Sequence, residues 1–145
     1  MIQRILLAVD DSPDSLAAAR LAIELAAGLG SQLRVIHVSA DHGLDDLMQT
    51  VVRAPGVAGR RGRADVAILA RVSAMAASAG IPVETELLSG AVATAVLDAI
   101  QASDANLVVV GKSARAATGE PYVGTQTRHI LEFAQRPVLV VPPVP

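Results

Sequence analysis

Short, continuous apolar runs alternate along this chain with longer segments of helical periodicity, and this alternation constrains the fold most. Residues 5–9 read ILLAV, residues 107–110 read LVVV and residues 138–141 read VLVV. Runs of this length and composition are typical of parallel strands that are buried on both faces. The segments between them carry apolar residues at three- and four-residue steps. The pattern therefore predicts βαβ units and an open, mostly parallel sheet with helices on both faces.

We predict five strands and four helices in a single α/β domain of 145 residues. Ser12 is the expected N-cap of the first helix, and Pro13 is its expected first residue. The predicted strands are residues 5–9, 32–39, 81–88, 107–110 and 138–141. The predicted helices are residues 13–29, 64–79, 93–102 and 125–134. Residues 41–63, which end in a tract rich in glycine and arginine, are expected to form a flexible loop.

The composition excludes several classes of function. A formal net charge of −2 provides no general attraction to nucleic acid or to an anionic membrane, and 1% aromatic residues leave almost nothing to stack on bases. The chain has no cysteine, which rules out disulfides and cysteine-based metal sites. No apolar run approaches the ~20 residues of a membrane span, and the start of the chain does not have the pattern of a signal peptide. We therefore expect a soluble, cytoplasmic protein that binds neither nucleic acid nor membrane.

The loop after the fourth predicted strand has the features of an anion site. The strand ends at Gly111, the loop contains the basic residues Lys112 and Arg115, and the next helix begins at Gly124-Thr125. Backbone N–H groups at such strand–loop–helix junctions bind phosphate. An ordinary connecting loop is the alternative interpretation.

Three predicted strands end near one another at the same edge of the sheet. Asp10 follows the first strand, Val38 lies at the end of the second and Gly111 at the end of the fourth. Open parallel sheets bind ligands beyond the carboxyl ends of their strands. Asp10 can accept a hydrogen bond from a ligand or help to cap the following helix, and the sequence leaves both roles open.

The chain resembles the universal stress protein family along its whole length except residues 41–63. Residues 5–12, ILLAVDDS, are similar to the strand–Asp–x–Ser opening of that family. The Gly111 loop, the Gly124-Thr125 pair and residues 136–141, RPVLVV, resemble its closing third. The resemblance implies a Rossmann-like sheet with the strand order 3-2-1-4-5.

Nucleotide-binding members of the family carry the pattern Gly, two residues, Gly, nine residues, Gly and Ser or Thr. Gly111, Gly124 and Thr125 match this pattern, whereas Ala114 stands in the place of the second glycine. The β-carbon of Ala114 disfavours a positive φ, so its N–H can face a phosphate only from a conformation with negative φ.

The resemblance assigns roles to residues of this chain by their position in the pattern. It implies that Asp10 and Val38 contact adenine or ribose, and that Gly111 admits the ribose and the phosphates. Arg115 is expected to balance phosphate charge. The residues implied to hold phosphate oxygens are Gly124, Thr125 and Thr127.

The function expected from this resemblance is a regulatory, non-catalytic binding module for ATP or another adenine nucleotide, with or without Mg²⁺. We find no catalytic constellation and no phosphate-loop motif of the P-loop type, and no residues are assigned to a protein metal site. The resemblance also implies a homodimer through the last strand and an unidentified protein partner. Two alternatives remain: a homodimeric stress or interaction protein that binds no nucleotide, and a slow ATP hydrolase.

Overall fold

A five-stranded parallel sheet organises the protein, as the sequence predicts. The computed structural model describes residues 1–40, 55–112 and 123–144. Within them the elements are β1 (Arg4–Val9), α1 (Pro13–Leu29), β2 (Gln32–Ala40), α2 (Pro55–Ser78), β3 (Val83–Gly90), α3 (Val92–Ala102), β4 (Leu107–Gly111), α4 (Thr125–Phe133) and β5 (Val138–Val141). The strand order β3-β2-β1-β4-β5 confirms the expected 3-2-1-4-5 topology, and every neighbouring pair of strands is parallel.

The sheet separates two apolar clusters, each covered by a pair of helices. Along β1, Leu7 points to the cluster beneath α1 and α2, whereas Leu6 points to the cluster beneath α3 and α4. Both side chains are almost completely buried, as expected of a strand covered on both faces. The continuous apolar runs of the sequence therefore reflect burial from two sides.

Alanine allows α1 to pack closely on the central strands. The buried face of this helix includes Ala18, Ala19, Ala22 and Ala26, each with no exposed surface. The N-cap is Ser12, whose side chain accepts a hydrogen bond from the Ser15 N–H, and Pro13 opens the first turn as predicted.

Two predicted element starts differ from the structure by more than one residue. Helix α2 begins at Pro55 instead of residue 64, so the prediction of a loop is wrong for residues 55–63; residues 41–54 lie outside the described part of the chain. Proline is favoured in the first turn of a helix, and extending an existing helix requires no new nucleation despite the glycines. Strand β3 begins at Val83, after Pro82, which has no N–H for a ladder bond.

None of the helices described here is long and apolar enough to cross a membrane.

The end of β4 contacts the first turn of α1 so closely that residue 111 has no room for a side chain. A β-carbon on Gly111 would lie 2.8 Å from the carbonyl carbon of Asp14 and 2.9 Å from the backbone nitrogen of Ser15. These neighbours are backbone atoms, which cannot move away without displacing α1.

We predict that Gly111→Ala lowers the free energy of unfolding by about 1–3 kcal/mol, because the added methyl overpacks this contact. Gly28→Ala is the matched control, since Gly28 lies in α1 and its added β-carbon would meet no atom within 4 Å. It should raise the stability by up to about 1 kcal/mol through helix propensity. Urea unfolding measures both changes, and equal stabilities of Gly111→Ala and the wild type would contradict the close contact.

Candidate functional site

A pocket of about 210 Å³ opens at the carboxyl ends of β1 and β4. Strand β2, which follows β1 in the chain, lies next to β1 towards one edge of the sheet. Strand β4 lies next to β1 towards the opposite edge. Ligands of open α/β sheets bind at such a switch point. The aliphatic part of the lining comes from both central strands, β2 and the two helices of this face: Ala8, Val9, Ile36, Val38, Val92, Val96, Val110 and Ile130.

The structure brings six of the eight predicted site residues together around this pocket. The six lining residues are Asp10, Val38, Gly111, Gly124, Thr125 and Thr127. The other two, Ala114 and Arg115, lie outside the described residues. These six residues come from the β1–α1 turn, β2, the end of β4 and the start of α4.

A compact hydrogen-bond network holds Asp10 in the turn between β1 and α1. Its Oδ1 accepts from the Ser12 N–H at 2.8 Å and from the Ser15 hydroxyl at 2.9 Å. The Asp10 N–H in turn donates to the Ser15 Oγ at 2.8 Å. Partial burial alone would raise the pKa of Asp10, but the hydrogen bonds from Ser12 and Ser15 and the nearby His37 outweigh it and hold this pKa below its ordinary value. Asp10 is therefore an ionised carboxylate in a defined orientation, and it organises the start of α1 as well as lining the pocket.

Gly111 and Thr127 form one unit in the structure. The side of Gly111 that lacks a side chain faces α1, so the glycine is required there for packing, and its backbone lines the pocket. The buried Thr127 hydroxyl donates to the Gly111 carbonyl at 2.9 Å. Thr127 thereby fixes the end of β4, and its hydroxyl proton is engaged by protein in this structure.

The first turn of α4 forms one wall of the pocket. Its N-cap, Gly124, has no side chain to cap the helix, and its own N–H donates to the Lys112 carbonyl at 3.0 Å. The first N–H groups of a helix lack partners within the helix, and the helix dipole makes this end favourable for anions. An anion at this end of the pocket would therefore meet backbone donors of Thr125 and its neighbours.

Two polar lining residues, Ser15 and Gln126, were missed by sequence reasoning. Gln126 accepts a hydrogen bond from the Ala93 N–H at 3.1 Å through its Oε1, and thereby joins α4 to the start of α3. Nothing in the local sequence indicates this contact. Ser15 binds Asp10, and its position three residues after the N-cap Ser12 was a usable signal. In the described part of the chain, no group of three or more potential ligands could hold a metal ion.

The model of the universal stress protein family matches residues 1–142 of this chain. The chain belongs to the universal stress protein family. A curated relative from Thermus aquaticus, named "Universal stress protein in QAH/OAS sulfhydrylase 3′ region", is 33% identical over 142 residues, which cover 97% of this chain and 99% of the relative.

Solved structures of the family share the fold. The universal stress protein from Archaeoglobus fulgidus in complex with dAMP has a TM-score of 0.68 at 21% identity and covers 97% of this chain and 99% of its own. A universal stress protein in complex with cAMP has a TM-score of 0.69 at 21% identity, with 97% and 96% of the two chains covered. At this level of identity the comparison establishes the common fold, and the nucleotides are those of the two solved proteins.

We predict that the stabilising effect of the Asp10 carboxylate disappears in acid. Folding lowers the pKa of Asp10. The ionised carboxylate therefore stabilises the fold fully at pH values above the ordinary pKa of an aspartate, about 3.9. This contribution is lost as the pH falls through the lower pKa that Asp10 has in the folded protein. Urea unfolding should show Asp10→Asn to be less stable than the wild type near neutral pH, with the difference shrinking below about pH 4.

Asp11→Asn is the matched control, because it makes the same change at the next residue, whose side chain is exposed. Its stability near neutral pH should stay within about 0.5 kcal/mol of the wild type. A difference between Asp10→Asn and the wild type that is constant from neutral to acid pH would contradict the role given to the Asp10 carboxylate.

Proposed function

We propose that this protein is a regulatory, non-catalytic module that binds an adenine nucleotide in the pocket between β1 and β4. The observation that carries the proposal is the convergence of the Asp10 carboxylate, the aliphatic lining around Val38 and the N-terminus of α4 on one pocket at the switch point of the sheet. The three features match the polar sugar, the flat base and the anionic phosphate of a nucleotide.

The base and the ribose fit the inner part of the pocket. Val38, Val96 and Ile130 come from three different elements and enclose a slot of aliphatic side chains, which suits a planar ring. The ionised Asp10 at its edge accepts hydrogen bonds, and a ribose hydroxyl donates them. The pocket has a volume of about 210 Å³, which is below the roughly 300–1,000 Å³ of pockets that hold drug-sized ligands. The proposal therefore puts the phosphates towards the opening of the pocket.

The phosphates fit the first turn of α4, where the backbone donors of Thr125 and Gln126 begin the helix. Lys112 lies directly after β4 and supplies a positive charge at the same edge of the sheet. Two family members with the same fold are complexed with dAMP and cAMP, which supports an adenine nucleotide as the ligand class. ATP is the proposed ligand; an accompanying Mg²⁺ would be held through its phosphates.

Equilibrium dialysis with ATP, ADP, AMP and cyclic AMP tests this proposal. We expect wild-type binding, and we expect Asp10→Asn to weaken it about tenfold or more, because a charged hydrogen-bond acceptor is lost. Asp11→Asn, whose altered residue does not line the pocket, should bind like the wild type. Absence of binding at millimolar ligand would remove the nucleotide proposal.

Two further experiments separate the alternative functions. Nucleotide binding that appears only in Ala114→Gly would favour the interaction protein that binds no nucleotide. Multiple-turnover release of phosphate from ATP that Asp10→Asn abolishes would favour the slow hydrolase. Phosphate release that this variant leaves unchanged would indicate contamination.

We also propose a homodimer through β5, the edge strand beyond β4. Its residues Val138, Leu139 and Val140 are all partly exposed, and Phe133 at the end of α4 is 58% exposed. An unpaired edge with apolar side chains is a template for pairing with another strand. Pairing of two β5 strands across a two-fold axis would bury this edge.

Leu139→Lys should convert the dimer into a monomer in sedimentation velocity, because two charged side chains would meet at the paired edge. Leu87→Lys is the matched control at the opposite edge of the sheet, in β3, and should remain dimeric. A dimer that persists in Leu139→Lys, with a fold intact by circular dichroism, would exclude β5 as the interface.

A further inference from the structure

His37 is a buried residue that connects β1, β2 and α2. It lies near the end of β2 with 6% of its surface exposed. Its Nδ1 is 2.7 Å from the carbonyl oxygen of Val9, and its Nε2 is 2.6 Å from Oδ1 of Asp65. The Asp65 side chain, on α2, is 17% exposed. One imidazole ring therefore spans from the last residue of β1 to a helix that covers the sheet.

Both neighbours of the ring are hydrogen-bond acceptors. A backbone carbonyl has no proton to donate, and an ionised carboxylate only accepts. A neutral imidazole carries a single N–H and would place two acceptors against each other at one of the two contacts. The geometry therefore requires a second proton, held between His37 Nε2 and Asp65 Oδ1, in addition to the proton on Nδ1.

The His37–Asp65 pair contacts the residue that immediately precedes Asp10. Val9, whose carbonyl receives the Nδ1–H, immediately precedes Asp10, and His37 lies opposite Val9 in the register of β1 and β2. Asp10 lines the candidate nucleotide pocket and also a second cavity of about 90 Å³ on the α2 side of the sheet. The positive charge of His37 contributes to the lowered pKa of Asp10.

Among the side chains that the structure describes, those lining the second cavity beside Val9 and Asp10 place two further charged residues near this pair. The second cavity is also lined by Asp11, beyond β1, and by Arg71, on α2. From α1 the cavity receives the apolar Leu16, and β3 places Leu87 in register with His37. Within the described ranges, Asp65 is the carboxylate that contacts the ring.

We propose that His37 is a positioning residue for the nucleotide site: with its second proton held by Asp65, it fixes the end of β1 and thereby the carboxylate of Asp10. This inference rests on the proposed nucleotide function. It makes nucleotide affinity depend on a proton that is bound on the opposite face of the sheet from the ligand. Loss of that proton removes one of the two ring contacts and the positive charge behind Asp10.

Asp65→Asn separates the charge from the packing. The asparagine amide can donate to Nε2 of a neutral ring, so the link between β2 and α2 is kept while the second proton is no longer required. Asp98→Asn on α3 is the control for the loss of one negative charge, since Asp98 lies outside the candidate pocket. His37→Asn is a second test variant, because its amide retains a donor for the Val9 carbonyl.

The experiment measures the Kd of ATP for each variant between about pH 5.5 and pH 8.5, across the range in which histidine ordinarily titrates. At the acid end, Asp65→Asn and His37→Asn should bind about three- to tenfold more weakly than the wild type, because both variants lack the positive charge that His37 places near Asp10. Comparison between variants at each pH cancels the titration of ATP itself. Asp98→Asn should match the wild type throughout.

Ring ¹⁵N resonances, assigned by their absence in His37→Asn, report the proton directly. We expect two ring protons on wild-type His37 in acid and one in Asp65→Asn. The affinity advantage of the wild type should vanish over the pH interval in which the second proton leaves. An advantage that is constant with pH, or a singly protonated wild-type ring throughout, would overturn the inference. Absence of ATP binding by the wild type would remove the nucleotide function and the positioning role together, whereas the ring resonances would still report the pair.

Discussion

The close approach of α1 to the carboxyl ends of β1 and β4 is the contact on which the rest of the structure depends. It is possible because Gly111 has no side chain where β4 meets Asp14 and Ser15, and because the buried face of α1 is lined with alanine. In a chain with 1% aromatic residues, close backbone approach replaces the bulk of large side chains. It also brings the first turn of α1 to the edge of the sheet where the pocket opens.

Polar interactions are concentrated at that same edge. The buried polar side chains of the described residues are Asp14, Ser15, Ser31, His37 and Thr127. All except Ser31 lie at a strand end or a helix start on the carboxyl side of the sheet. A buried polar group costs stability unless it is hydrogen-bonded, so such a cluster persists when its members satisfy one another. The Ser15 hydroxyl donates to Asp10 and the Thr127 hydroxyl to the Gly111 carbonyl, whereas Oδ2 of Asp14 has no hydrogen-bond partner among the described residues.

The family fold specifies where a ligand binds more strongly than what is bound. Proteins only 21% identical to this chain share its topology, and the switch point between β1 and β4 follows from the strand order alone. The side chains around that point decide the chemistry. Here they provide aliphatic side chains, one oriented carboxylate and a helix start without a side-chain cap.

The sequence predicts most element boundaries because strand ends and helix starts depend on local chemistry. Ser12 and Pro13 mark the start of α1, and the apolar runs mark β1, β4 and β5. Local rules failed at residues 55–63, where glycine and arginine indicated a loop but cooperative extension of α2 determined the structure. The strand order came from the family resemblance, since periodicity does not specify which strands are neighbours.

For the candidate site, the sequence by itself determined which residues stand at the carboxyl edge of the sheet. Only the tertiary structure decided what they do there. Helix α1 occupies the space where residue 111 would carry a side chain, and the Thr127 hydroxyl donates to the Gly111 carbonyl at the end of β4. The ring of His37 contacts Val9 and Asp65, each 28 positions away in the chain. These partners are set by distances between packed elements, and sequence spacing within one element carries no record of those distances.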